Sequence, residues 1–167
     1  MQLLLLRHAQ TAYNEQQLIN GQYDEPLSDS GRAQLPEIAR LVRADDFDVI
    51  YSSPLIRALD TAKAIAKVHA AAIIKDARLT ETNCGSFSGK PWNSTISIFG
   101  LPSSALLSSG EYDFTDFGGE SSAQVRMRVE SFINDLKTNP NSTPLIVTHG
   151  GIIRMFYEIC SGTVPDH

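Results

Sequence analysis

The sequence predicts an α/β fold, a three-layer sandwich in which a mostly parallel central sheet is flanked by helices. Three observations carry that expectation. Short apolar runs of strand length alternate with longer stretches whose apolar residues recur at helical spacing. The first run, Leu3 to Leu6, and the Leu145-Ile146-Val147 centre of the last, Thr143 to Thr148, are apolar at every position, as strands covered on both faces require. Both runs break off abruptly into polar residues, Arg7-His8 and His149-Gly150-Gly151. Ligands of open parallel sheets bind at the carboxyl ends of the strands, so two histidines delivered there mark a candidate site. With 167 residues, 42% hydrophobic and 20% charged, the chain suffices for one core and not comfortably for two, and 1–167 reads as a single domain.

The elements follow in order. Leu3 to Leu6 is the first strand, fully buried, and Glu15 to Pro26 is a polar loop holding Gly21 and the turn residues Asp24-Glu25-Pro26. Ser28 caps a helix with Leu35, Ile38, Leu41 and Val42 near one face; Gly31 weakens it and Pro36 is expected to kink it. Asp48 to Tyr51 is the second strand. Ser52-Ser53-Pro54 then supplies a cap and a first-turn proline for a helix from Leu55 to about His69, which places Arg57 in its first turn. Ile73 to Leu79 reads as a third strand or a strand pair, with Glu81 just beyond its end. From 90 to 119 the chain turns to Ser, Gly, Pro and aromatics with little periodicity, the mark of a lid or cap insertion. Gly118 to Ser121 opens a helix with the stripe Val125, Val129, Phe132, Ile133 and Leu136; after the last strand a helix runs from Ile152 to about Ile159.

Composition excludes several functions. A net charge of −5 without any Lys/Arg run argues against nucleic acid. Met1 to Leu6 is too short for a membrane span or a secretory core and has no basic residues before it, so a cytoplasmic protein with no membrane partner is expected. Cys84 and Cys160 show no Cys-x-x-Cys spacing and read as reduced thiols; neither opens a Cys-x5-Arg loop. No His-x-Glu, His-x-x-x-His or His-x-Asp pair is present, and two arginines beside the histidines would repel a divalent ion, so neither a metal nor another cofactor is expected. His69 and His167 read as surface residues, and Asp46-Phe47-Asp48 precedes its strand rather than ending it.

What remains is a constellation of Arg7, His8, Asn14, Arg57, Glu81 and His149 at one sheet edge, an anion pocket with a nucleophile and a proton donor. Arg7-His8-Ala9-Gln10-Thr11-x-x-Asn14, Gly21-x-x-Asp24-x-Pro26-Leu27-x-x-x-Gly31, Ser52-Ser53-Pro54-x-x-Arg57-Ala58-x-x-Thr61-Ala62, Leu79-x-Glu81, Gly119-Glu120-Ser121 and Thr148-His149-Gly150-Gly151 occur in that order. Together they resemble the histidine phosphatase superfamily, the phosphoglycerate-mutase-like group, from Leu3 to Arg154. The resemblance implies a phosphohistidine mechanism, with His8 as nucleophile, Glu81 as proton donor, and Arg7, Asn14, Arg57 and His149 as phosphate ligands. Gly21 belongs to the matched loop, and Gly150 and Gly151 bring backbone N–H groups and a helix N-terminus to the same anion.

The chemistry of these residue types agrees. Neutral imidazole attacks phosphorus near neutral pH and leaves again from a labile phosphoramidate. Arg7 and Arg57 offer bidentate forks to the phosphoryl oxygens. Three functions are compatible with such a pocket: hydrolysis of small phosphorylated metabolites, phosphoglycerate mutation, and phosphate binding without turnover. The complete residue set favours turnover. Mutase-type members continue the catalytic glutamate as Glu-Arg-x-Tyr-Gly to grip a carboxylate, whereas this chain reads Glu81-Thr82-Asn83-Cys84-Gly85, which favours hydrolysis. Ala9 replaces the family's usual Gly, Phe87 and Ser88 depart from its Trp-Glu-Gly region, and His167 follows soon after the last helix, so no closing tail is expected. In 86–119, Lys90 is the only basic residue beside Glu111, Asp113, Asp116, Trp92, Tyr112, Phe114 and Phe117. That composition suits a neutral or aromatic leaving alcohol, such as the ribazole phosphate handled by one branch of the family, if the rings line the pocket; the alternative is that they are core under a long loop. Oligomeric state is left open.

Overall fold

The computed structural model describes residues 2–43, 46–138 and 142–162. Strands β1 (Leu4–Arg7), β2 (Val49–Ser52), β3 (Ile73–Lys75) and β4 (Pro144–Thr148) form one parallel sheet in the order β1-β4-β2-β3. The helices are α1 (Ala12–Glu15), α2 (Asp29–Leu41), α3 (Ile56–His69), α4 (Ile96–Phe99), α5 (Ser103–Ser108), α6 (Ser122–Leu136) and α7 (Gly150–Ser161). Strand alternation divides the core into two layers. Leu4, Leu6, Ile50, Leu145 and Val147 pack with Ala39 of α2 and Ala58, Ala62 and Ile65 of α3. On the opposite face Leu3, Leu5, Tyr51 and Ile146 meet Val125, Val129 and Phe132 of α6 and Ile152, Met155 and Phe156 of α7. This is the three-layer sandwich that the alternating pattern predicts.

Position in the sheet corrects the expectation for the first strand. All five residues of β4 are buried, because it lies between β1 and β2; the leucines of β1 are only half-buried, because β1 pairs with β4 alone among the described residues. The outer side of β1, with Ile133, Ile153 and Phe156, lines an apolar cleft of about 510 Å³ that contains none of the predicted site residues.

Other elements shift for local reasons. Helix α2 is capped by Ser28, whose Oγ accepts from the Gly31 N–H at 3.1 Å, and it continues through Pro36. Gly31 is there for packing: a Cβ would stand 1.9 Å from the Gln10 carbonyl oxygen. Leu41, expected on the apolar face, is 64% exposed, since Gly31, Leu35, Ala39 and Val42 hold the inward stripe. The third strand stops at Lys75 because Asp76 accepts from the Arg78 N–H at 2.9 Å and winds 77–79 into a 3-10 turn. His69 is half-buried rather than a surface residue, its Nε2 3.0 Å from the Ala39 carbonyl and its ring against Phe47. His167 lies outside the described residues. Helix α6 begins with a reciprocal Ser121–Gln124 cap, and its five predicted stripe residues are all buried. Helix α7 begins two residues earlier than predicted, directly behind His149.

Candidate active site

Register assembles the floor of the site. Arg7 stands opposite Thr148, and the next N–H, that of His8, donates to the Thr148 carbonyl at 2.9 Å. On the other side of β4 the Ser53 N–H donates to the Val147 carbonyl at 3.0 Å. His8, His149 and Ser53 therefore emerge side by side where three strands end. The two imidazoles lie 5.1 Å apart, centroid to centroid. Nδ1 of His8 is 2.7 Å from the Ala9 carbonyl oxygen. A carbonyl only accepts, so Nδ1 carries the proton and Nε2 keeps its lone pair. Burial, with Arg57 and more weakly Arg7 adding to it against the Ala9 hydrogen bond, pushes His8 down to about 3. It is a neutral base at physiological pH. His149 is also held well below the ordinary histidine range, by burial and then by Arg57 and His8. Its Nε2 is 2.8 Å from Ser53 Oγ, while its buried Nδ1 has no hydrogen-bond partner among the described residues.

Arg57 lies beneath this floor, fully buried. Nη1 donates to the Tyr23 carbonyl at 2.7 Å and Nη2 to the Gly21 carbonyl at 2.8 Å, leaving Nε without a partner among the described residues. Burial lowers its proton affinity, and Glu81, Asp24 and Glu25 oppose that shift. The spacing Arg57-Ala58-x-x-Thr61-Ala62 is now explained by one face of α3. Ala58 and Ala62 pack flush in the core, and Thr61 Oγ accepts from the Ala9 N–H at 3.0 Å. Ala9 is not among the described residues with positive φ, so its backbone does not require glycine. The following loop is tied by its own side chains. Asn14 Oδ1 accepts from the Thr11 N–H, Asn14 Nδ2 donates to Asn20, and Asn20 Nδ2 donates to Thr11 Oγ and Glu25.

Glu81 closes the other side. Its carboxylate accepts from the Thr82 N–H at 2.9 Å and the Gly151 N–H at 3.2 Å. The sequence reading gave both Gly150 and Gly151 to the anion; in the fold the Gly151 amide serves Glu81 instead. A Cβ on Gly151 would stand 2.5 Å from Glu81 Oε1, which accounts for the second glycine of the pair.

A cavity of about 350 Å³ opens above these groups. Of the predicted residues Arg7, His8, Asn14, Gly21, Glu81 and Gly150 line it, whereas Arg57 and His149 support it from below and do not line it. Sequence reasoning missed Asn20, Leu107 and Arg154 in the lining; Arg154 could have been found as the residue one helical turn after Gly150. Of the two alternatives for the aromatics of 90–119, lining or core, most of the rings take the second. Trp92 reaches the cavity and anchors its indole N–H on the Leu18 carbonyl at 3.0 Å. Tyr112 and Phe114 are buried away from it, and Phe87, Phe99, Phe114 and Phe117 pack against one another at 5.0 to 6.0 Å. The short helices there have little other core to bury, so the rings serve folding. Lys90 sits over the Phe87 ring, and Glu111, Asp113 and Asp116 face solvent. Cys84 also lines the cavity, but burial raises its thiol far above the thiolate range. Among the described residues no three His, Cys, Asp or Glu side chains are grouped to hold a metal ion, and no helix is long and apolar enough to cross a membrane.

A parallel α/β sandwich with a buried, neutral histidine beside a second histidine, arginines and a carboxylate at the strand ends defines a phosphoryl-handling enzyme. Residues 3–167 match the histidine phosphatase superfamily (branch 1), and the chain belongs to that family; it is a phosphoric monoester hydrolase of the histidine phosphatase type. It is 33% identical over 159 residues to phosphoserine phosphatase 1 of Hydrogenobacter thermophilus, covering 94% of this chain and 74% of that protein. With phosphoglycerate mutase-like protein 4 of Arabidopsis thaliana it shares 30% identity over 160 residues, covering 94% and 70%. The mycobacterial glucosyl-3-phosphoglycerate phosphatase solved with VO3 superposes with a TM-score of 0.81 at 28% identity, covering 94% of this chain and 78% of that one.

Proposed function

We propose that the protein hydrolyses small phosphorylated metabolites through a phosphohistidine on Nε2 of His8, without a metal ion. The observation that carries this reading is the 2.7 Å contact of His8 Nδ1 with the Ala9 carbonyl, which fixes the tautomer and leaves Nε2 as the nucleophile. In the first step Nε2 attacks phosphorus, the P–N bond forms and the P–O bond to the alcohol breaks. The Glu81 carboxyl gives a proton to the departing oxygen. In the second step Glu81 takes a proton from water, whose oxygen attacks phosphorus as the P–N bond breaks and phosphate leaves. Arg7 at the cavity wall and Arg57 beneath supply the positive charge that a metal would otherwise provide. Asn14, which lines the cavity, is assigned as a further donor to the phosphoryl oxygens, and the buried His149 as the support beneath His8, their rings 5.1 Å apart. Residues 90–119 are assigned as the cover.

Hydrolysis is favoured over mutation because the positions of the mutase-type carboxylate grip hold Thr82, buried against the Tyr112 hydroxyl, and the buried Cys84. The two thiols, both free, fit a cytoplasmic location. The test is a rapid quench of enzyme turning over a labelled monoester. Acid-labile, alkali-stable label on the wild-type protein, absent from His8→Ala together with turnover, is expected. Full turnover by His8→Ala would overturn the proposal, and chelator-sensitive activity restored by magnesium or zinc would overturn its metal-free part.

A further inference from the structure

Glu81 is an exposed question in the fold, because it lies in an irregular segment between the 3-10 turns 77–79 and 85–87. No helix or strand fixes its direction, and the carboxyl of a general acid must be held to within a fraction of an ångström. What the Glu81 backbone carbonyl has instead is two side-chain donors. Arg128 Nη2 of α6 reaches it at 3.1 Å and Gln22 Nε2 of the first loop at 2.9 Å, from different elements.

Arg128 holds more than that carbonyl. Its Nη1 donates to the Arg78 carbonyl at 2.7 Å, and its Nε and Nη2 meet the two Glu120 oxygens at 3.0 and 3.1 Å. Glu120 in turn accepts from the Asn83 N–H at 2.8 Å. One guanidinium and one carboxylate, both mostly shielded from solvent, thus grip the segment at residues 78, 81 and 83, bracketing Glu81 on both sides. Gly119 lets this partner come close, since a Cβ there would stand 2.4 Å from the Asn83 carbonyl oxygen. The Gly119-Glu120-Ser121 motif acquires a purpose: Glu120 orients Arg128, and Ser121 starts the helix that carries it. A planar five-donor fork can hold two carbonyls and a carboxylate at once, which an ammonium cannot.

We propose that Arg128, oriented by Glu120 and seconded by Gln22, is the positioning residue that aims the Glu81 carboxyl at the leaving-group oxygen. The inference rests on the general-acid reading of Glu81 given above. Arg128 touches no substrate, so its loss acts through proton transfer and scales with how much the leaving group needs a proton. The experiment compares kcat/KM for an alkyl phosphate and p-nitrophenyl phosphate in wild type, Glu81→Gln, Arg128→Met, Arg128→Lys and Gln22→Leu, with melting temperatures alongside. Glu81→Gln is expected to slow the alkyl ester far more than the nitrophenyl ester. Arg128→Met should show the same skew, about 10- to 100-fold against a few-fold. Arg128→Lys and Gln22→Leu should show it in weaker form. If Glu81→Gln slows both esters equally, the general-acid reading falls and this inference with it. If Glu81→Gln is skewed and Arg128→Met slows both esters alike, only this inference is overturned. Should Arg128→Met fail to fold, Arg128→Lys and Gln22→Leu decide by the same criterion, and equal losses on both esters overturn it.

Discussion

The floor of the cavity is made where β1, β4 and β2 end side by side; the 90–119 side is made by short turns and helices of no more than six residues. In the floor each polar side chain is placed by strand register or by a helix packed on the sheet. His8 and His149 each follow the last register pair of β1 and β4, Arg7 opposite Thr148, and Arg57 and Thr61 are one turn apart on α3. On the other side Trp92 and Leu107 are the residues of the 90–119 segment that reach the cavity among the described residues, and the remaining rings pack on one another. Apart from Glu81, which Arg128, Glu120 and Gln22 hold from outside the sheet, the groups assigned to the chemistry sit on elements whose geometry the sheet enforces. Groups that shape access sit on a segment held by local aromatic packing, so substitutions on the two sides should differ in kind.

The sharpest contrast is expected from Gly151→Ala. Its methyl would press against the Glu81 carboxylate at 2.5 Å, and a misplaced proton donor should lower kcat by about 100-fold. Gly150→Ala, whose methyl would meet only the Arg7 guanidinium at 3.8 Å, should lose far less. Equal losses for the two alanines, measured as kcat on an alkyl phosphate, would show that Gly151 serves the helix N-terminus generally rather than Glu81.

Acid should attack the floor next. His8 is held neutral down to about 3 and His149 is shifted the same way. The unfolded chain takes up these protons as pH falls through about 6.5, while the folded floor does not. The contribution of His8 to stability is therefore present above that pH and lost progressively toward 3. Melting temperature should decline across this window, and His8→Asn should flatten the decline. An unchanged slope in His8→Asn would move the acid sensitivity away from the floor.

The smallest effect belongs to the other side. Trp92→Ala removes lining surface and the indole bond to Leu18, and KM should rise roughly threefold to tenfold, the size of about 1 kcal/mol of uniform binding, with kcat little altered. A collapse of kcat instead would mean that the 90–119 segment takes part in the chemical step and would break the distinction between the two sides.

Much of the floor was legible from the residues because its information is local. An apolar run ending in Arg7-His8, another ending in His149-Gly150-Gly151, and a helix bearing Arg57 in its first turn each declare themselves without reference to the rest of the chain, although the expected Ser-Pro cap does not form: the N-cap is Leu55, it makes no side-chain cap bond, and Pro54 lies outside the helix. The stripe of α6 was legible for the same reason, with five inward residues at helical spacing. The use of the aromatics in 90–119 was not, since a ring in a segment without periodicity can pack inward or line a pocket equally well until its neighbours are known.

By itself the sequence determined the α/β class and the places where strands give way to polar residues, because periodicity and polarity breaks are written along the chain, and the resemblance of its motifs supplied the candidate set Arg7, His8, Asn14, Arg57, Glu81 and His149. Only the tertiary structure decided which of these face the cavity and which lie under it, that β4 is fully buried while the leucines of β1 are not, and that Glu120 and Arg128 reach back to the Glu81 segment. The physical reason is that burial and pairing depend on neighbours far away in sequence. The three leucines of β1 have one strand beside them, and Leu145 to Val147 in the middle have two, whatever their hydrophobicity.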